Sequence, residues 1–174
     1  MYNNLHLRED QNYNVQWRHE TMDMEKPVIL SIRAVQRPVG GEDDVMELMT
    51  QGTLGAQEDG YTLRYEESEL TGLEGTTTTF RVQKDKITLH REGTLNSEMV
   101  FQKGLRHISL YDTPYGGLTL QVQTRTAKAD LDQSGGDLEI RYTLDVEDQR
   151  LGENFFQIHV SEPQTGGLGQ QTTL

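Results

Sequence analysis

Glu67 and Arg91 are the two side chains of this sequence whose types and spacing are most open to chemistry. Tyr61, Leu63, Tyr65 and Glu67 share one parity of an alternating stretch, and Ile87, Leu89 and Arg91 share the parity of another. Residues two apart on a strand point to the same face, so a carboxylate and a guanidinium are each expected on an otherwise apolar face. A buried charge is costly unless paired. The two are therefore expected to face each other, or to meet the hydroxyls of Thr76, Thr78, Thr124 or Tyr111. One reading is a structural ion pair at the end of a barrel. Another makes Arg91 the bidentate anchor for an anionic head group. A third has Glu67 carrying protons beside Arg91, which would make the protein an enzyme; the reading adopted is non-enzymatic.

Other chemistry finds little footing. The five histidines, His6, His19, His90, His107 and His159, are dispersed and lack ligand spacing such as the helical His-x-x-x-His pair. His107 shares parity with Leu105, Ser109 and Tyr111 and reads as an internal, hydrogen-bonded histidine. Asp130-Leu131-Asp132-Gln133-Ser134-Gly135 imitates the start of a calcium loop, but the position that needs a bidentate Glu is Arg141. With no cysteine there is no disulfide, thiolate nucleophile or Cys-based zinc site. No nucleophile elbow, phosphate loop or dinucleotide fingerprint occurs. No metal and no cofactor are expected.

The elements that must position these residues are strands. Val28 to Gln36 alternates with Val28, Leu30, Ile32 and Ala34 on one face; Val45 to Gln57 follows, with Gly52 and Gly55 expected at bulges or sharp bends. Further alternating runs cover Tyr61–Glu67, Thr76–Val82, Ile87–Gly93, a run ending Met99-Val100-Phe101, Leu105–Asp112, Leu118–Ala129, Asp137–Glu147 and Asn154–Glu162. In the Leu118 run, Leu118, Leu120, Val122, Thr124 and Thr126 share one face, and Asp130 to Gly136 reads as a turn. About ten strands in series with short connections and no amphipathic helix predict an all-β fold, a single antiparallel up-and-down barrel, since a meander this long must curl. A sandwich is the alternative, and it needs at least one long crossover.

At 174 residues the chain is expected to form one domain, 25–162, with a disordered extension over 1–24 and a flexible Gly- and Gln-rich tail over 163–174. The net charge of −12 opposes binding to a phosphate backbone, so nucleic acid is not an expected partner. With 33% hydrophobic residues, a mean hydropathy of −0.71 and no apolar run near the roughly 18 residues that span a bilayer, no membrane partner is expected either. The first ten residues lack the basic region and apolar stretch of a signal peptide, which gives a cytoplasmic expectation. Nothing in the sequence fixes an oligomeric state.

Several strings agree in order and spacing with one family: Tyr65-Glu66-Glu67-Ser68-Glu69-Leu70-Thr71-Gly72-Leu73-Glu74-Gly75-Thr76, Arg91-Glu92-Gly93, Met99-Val100-Phe101 with Gly104, Arg106-His107, and Tyr111-Asp112-Thr113-Pro114-Tyr115-Gly116. Together they resemble the YwiB-like domain of unknown function, found as small stand-alone bacterial proteins, over about Glu25 to Glu162. The resemblance implies a calycin-type, lipocalin-like barrel and no activity. Members begin close to the Lys-Pro-Val element, so the residues before Met24 look like an extension foreign to the pattern. The wider superfamily mostly holds small, often hydrophobic or acyl ligands in the barrel, an analogy of fold alone. The resulting expectation is a small-molecule binding module for an amphipathic or acyl-like anion, with a solid side-chain-packed interaction barrel as the alternative. Its interior site is expected to draw on Tyr65, Glu67, Thr76, Arg91, Met99, Phe101, His107, Tyr111 and Thr124, the ligand's tail lying against Leu63, Leu89, Phe101, Leu120 and Leu138.

Overall fold

Alternation at period two becomes alternation of burial: Thr76, Thr78, Phe80 and Val82 are buried, while Thr77, Thr79 and Arg81 between them are not. The computed structural model describes residues 25–113 and 115–164. Its strands are β1 (Lys26–Pro38), β2 (Asp44–Gln57), β3 (Gly60–Glu66), β4 (Thr76–Gln83), β5 (Ile87–Gly93), β6 (Ser97–Phe101), β7 (Arg106–Thr113), β8 (Gly116–Asp132), β9 (Gly135–Val146) and β10 (Gln149–Ser161). One turn of 3-10 helix, Glu69–Thr71, interrupts the β3–β4 connection. Among the described residues no helix is long and apolar enough to cross a membrane. The expected extension over 1–24 and all but the first two residues of the tail lie outside the described residues.

The ten strands form one antiparallel sheet in the order β6-β5-β4-β3-β2-β1-β10-β9-β8-β7. Apart from β1 against β10, every pair is between neighbours in sequence, so the meander is up-and-down as expected. The edge strands β6 and β7 are consecutive in the chain and approach each other, and the loop between them prolongs the β7–β8 ladder. Gly104 N–H donates to the Thr124 carbonyl at 2.9 Å, and Thr124 N–H donates to that of Leu105 at 3.1 Å. The sheet therefore curls into a nearly closed barrel, with two edges remaining rather than none.

Inside, registered strands stack their inward residues in layers. Leu63, Phe80, Leu89 and Met99 lie opposite one another across β3 to β6, as do Tyr61, Val82, Ile87 and Phe101 in the next layer. Leu30, Leu63, Phe80, Leu138, Ile140 and Ile158 are shut off from solvent. Each such side chain contributes ~1.5–3 kcal/mol by leaving water. A third layer is polar: Tyr65, Thr78, Arg91 and Ser97.

Four local expectations need correction. The β8 ladder shifts register between Thr124 and Thr126, and beyond it Ala127 opposes buried Ile140 while Thr126 opposes exposed Arg141. The extra residue of this bulge flips Thr126 away from the Leu120 face. Gly52 and Gly55 mark no bulge, because the β3 ladder runs through both in register and the β1 ladder through Gly52. Gly52 instead answers a close approach, since a Cβ there would lie 2.5 Å from the Arg64 carbonyl oxygen. The expected turn at 130–136 shrinks to Gln133 and Ser134, with strand on both sides. β10 begins at Gln149 rather than near Asn154.

Gly93 closes the strand that carries Arg91. Its φ is 133°, and a Cβ there would stand 2.2 Å from the Gly75 carbonyl oxygen. Gly93→Ala is therefore expected to cost at least ~1–3 kcal/mol, the usual cost of a strained backbone position. Urea unfolding measures it, and an unchanged midpoint would refute the constraint.

Candidate functional site

Glu67 follows directly on β3, and its N–H donates to the Thr76 carbonyl at 2.9 Å, which prolongs the β3–β4 ladder and turns the side chain inward. Its side chain is only 1% exposed. The hydroxyl of Thr78 donates to Glu67 Oε1 at 2.5 Å, and Arg91 Nε lies 3.7 Å from the same oxygen. That separation makes an ion pair but not a hydrogen bond. Arg91 Nε is buried and makes no hydrogen bond. The guanidinium thus has its charge balanced while its Nε donor stays unused.

Two phenols border the pair. Burial, and then the negative charge of Glu67, push the Tyr65 hydroxyl above the ordinary tyrosine range, with Arg91 pulling the other way. Tyr142 is raised by burial and likewise opposed by Arg91. Both therefore stay neutral hydrogen-bonding groups at any physiological pH.

The polar layer opens into a cavity of about 240 Å³. Its walls include two aromatic contacts, Phe80 on Phe156 with ring centres 5.5 Å apart and Phe101 on Tyr142 at 4.9 Å. Leu89, Met99 and Ile140 add aliphatic surface, and Thr71 and Leu73 contribute from the connection between β3 and β4. Gly72, left-handed at φ 71°, turns the chain between those two residues.

Of the residues expected at the site, Tyr65, Glu67, Arg91, Met99 and Phe101 come together around this cavity. Thr76, His107, Tyr111 and Thr124 are not among its lining residues. Thr76 is buried and its hydroxyl oxygen accepts the Leu95 N–H at 3.2 Å. His107, half-buried, pairs with Gln102 at 2.8 Å. Tyr111 is half-buried on β7, and Thr124 is buried on β8 with an unpartnered hydroxyl. The expected tail contacts divide the same way: Leu89 and Phe101 line the cavity, whereas Leu63, Leu120 and Leu138 do not. Phe156, Tyr142 and Leu73 were not expected there. Tyr142 shares parity with Leu138 and Ile140, so its inward position was readable; the contribution of Leu73 comes from a non-periodic loop and was not.

A family model described as a domain of unknown function, DUF1934, matches residues 30–158. The chain belongs to the DUF1934 family. One relative, the uncharacterized beta-barrel protein YwiB of Bacillus subtilis (strain 168), is 27% identical over 130 residues, covering 74% of this chain and 89% of its own. The crystal structure of the ywiB protein from Bacillus subtilis superposes with a TM-score of 0.70 at 24% identity, over 80% of this chain and 94% of that one. The barrel is thus the architecture of this DUF1934 domain and of a solved relative, and the family carries no assigned activity.

Removing one member of a buried pair strands the other. Arg91→Met is expected to destabilise the domain by about 3–5 kcal/mol, and the double change Arg91→Met with Glu67→Leu to recover much of it. Chemical unfolding of the four proteins gives the coupling, and additive losses would show that the two side chains act independently. Tyr65 generates an alkaline signature. Its folded value lies above the ~10 of an unfolded tyrosine, so the unfolded chain loses its proton first. Stability is full below about pH 10 and falls as pH rises beyond it. Tyr65→Phe should flatten that decline, as measured by melting between pH 8 and pH 11; an identical slope in both proteins would contradict the burial.

Proposed function

We propose that this barrel is a non-enzymatic binding module for a compact amphipathic anion, held in the 240 Å³ cavity with its head at Arg91. The supporting observation is the guanidinium itself: it borders a largely apolar, aromatic-walled cavity, its side chain 19% exposed, and its buried Nε lacks a hydrogen-bond acceptor. A mostly apolar pocket with a few convergent polar groups is the usual form of a small-molecule site. Tyr65 and Tyr142, both neutral, add hydroxyls beside the head position.

The cavity volume narrows the ligand. It lies below the ~300–1,000 Å³ of drug-sized sites and corresponds to about eight waters at ~30 Å³ each. A long acyl chain does not fit, because Leu63, Leu138, Ile158 and their neighbours fill the adjoining barrel. A short-chain or aromatic carboxylate does. Glu67 balances the charge of Arg91, so attraction to the anion rests on short-range hydrogen bonds. The carboxylate of Glu67 already accepts the Thr78 hydroxyl, which favours a structural partner over a proton carrier.

Calorimetric titration of benzoate and of C4–C8 carboxylates tests the reading. Saturable binding is expected, weakened by ~1.5–3 kcal/mol in Arg91→Leu, the worth of a hydrogen bond to a charged group. Glu67→Gln, which removes the competing charge, should tighten it. If the parent takes up none of these anions, the barrel is better read as a packed interaction scaffold.

A further inference from the structure

Four arginines converge on one groove in a chain whose net charge is −12. Arg33 and Arg37 come from β1, Arg125 from the bulge in β8 and Arg141 from β9, around a space of about 370 Å³. Each has a carboxylate partner: Arg33 Nε with Glu47 at 3.2 Å, Arg37 Nε with Asp43 at 2.9 Å, Arg125 Nη2 with Glu153 at 3.1 Å and Arg141 Nε with Glu139 at 3.1 Å. A surface ion-pair network explains that much. These pairs are well exposed, however, and exposed pairs contribute little, so a better acceptor can replace the carboxylates at small cost. Only the Arg37–Asp43 pair joins two nitrogens to two oxygens. A guanidinium has five N–H donors, and the other three arginines keep most of theirs free of these pairs.

Ion pairing does not account for Thr143. It is 3% exposed, it lines the groove, and its hydroxyl makes no hydrogen bond. A buried hydroxyl without a partner costs stability, and this one belongs to a residue that lines the same groove as the four arginines. Beside it Arg141 stacks over the Phe155 ring at 4.5 Å, while Val35 and Val45 supply apolar surface. We infer that the groove is a second binding site, for a compact anion bearing phosphoryl groups. The arginine forks and Thr143 bind its oxygens, and its body lies on Val35 and Val45. A phosphoryl group carries more charge and more acceptor oxygens than a carboxylate and matches the guanidinium fork. The acidity of the rest of the chain disfavours a long polyanion, which would run past the groove.

Pyrophosphate and citrate, titrated calorimetrically at constant ionic strength, test this. Pyrophosphate should saturate one site at least about tenfold more tightly than citrate. Arg33→Gln with Arg125→Gln, both exposed, should lose at least about tenfold while melting as the parent does. Thr143→Val should lose about tenfold and Thr143→Ser should keep the affinity, whereas a merely structural hydroxyl would leave binding unmoved in both. The double change Arg91→Met with Glu67→Leu, which recovers much of the stability lost with Arg91 alone, should leave pyrophosphate binding intact and so separate this site from the interior one. Absence of saturation, equal affinity for citrate, or full affinity in the arginine double variant would overturn the inference.

Discussion

A carboxylate buried in the wall of a β-barrel is the constraint on which the architecture of this end depends. Glu67 is closed off from water, and an ion so placed carries a penalty of several kcal/mol that only close partners offset. Register supplies them. Tyr65 pairs across to Thr78 and Thr78 to Arg91, so the hydroxyl and the guanidinium arrive on the strand next to Glu67 and the one beyond. A layer made of Tyr, Thr, Arg and Ser cannot interdigitate as the Leu63–Phe80–Leu89–Met99 layer does. The cavity lies where the two layers meet, bordered by Tyr65 and Arg91 of the polar rung and by Phe80, Leu89 and Met99 of the apolar one.

Parity carried the sequence reading a long way. It put Glu67 and Arg91 on the inward face, and it yielded ten antiparallel neighbours in a meander because nearly every connection is a short hairpin. What it missed has identifiable causes. A single extra residue in β8 inverts every later side chain of that strand and takes Thr126 off the Leu120 face; its trace in the sequence is the change of apolar phase from Leu118, Leu120 and Val122 to Ala127, Ala129 and Leu131. Gly52 is expected at a bulge or sharp bend, whereas the ladders pass through it in register and it lets the Arg64 carbonyl come close. Thr76, His107 and Thr124 were expected around a ligand because inward parity says only that a residue is inside, and depth along the barrel decides whether it meets a cavity or a neighbour. That depth is set by the stagger between strands distant in sequence, which a one-dimensional pattern does not contain.

The two cavities place arginine in opposite situations. Inside, Arg91 has one ionic partner and little water, so its spare donors are worth most to whatever ligand enters. Outside, four arginines stand in water beside carboxylates that water and salt already screen. The inner space is bounded by its size and its aromatic walls, whereas the outer groove presents many guanidinium donors at once.

Strand register ties the two together. Val35, Tyr142, Asn154 and Phe155 line both cavities. On β9 Tyr142 reaches Phe101 in the interior while the next residue, Thr143, lines the outer groove; on β10 Phe156 stacks on Phe80 inside while Phe155 lies under Arg141 outside. A one-residue slip of either strand would exchange these roles. The β8 bulge protects the arrangement, because the ladder runs Thr124 opposite Tyr142 and then Thr126 opposite Arg141, leaving Arg125 as the extra residue. Bulges commonly re-aim a side chain beside a site. Here the residue that breaks the alternation, Arg125, is itself one of the four arginines of the groove.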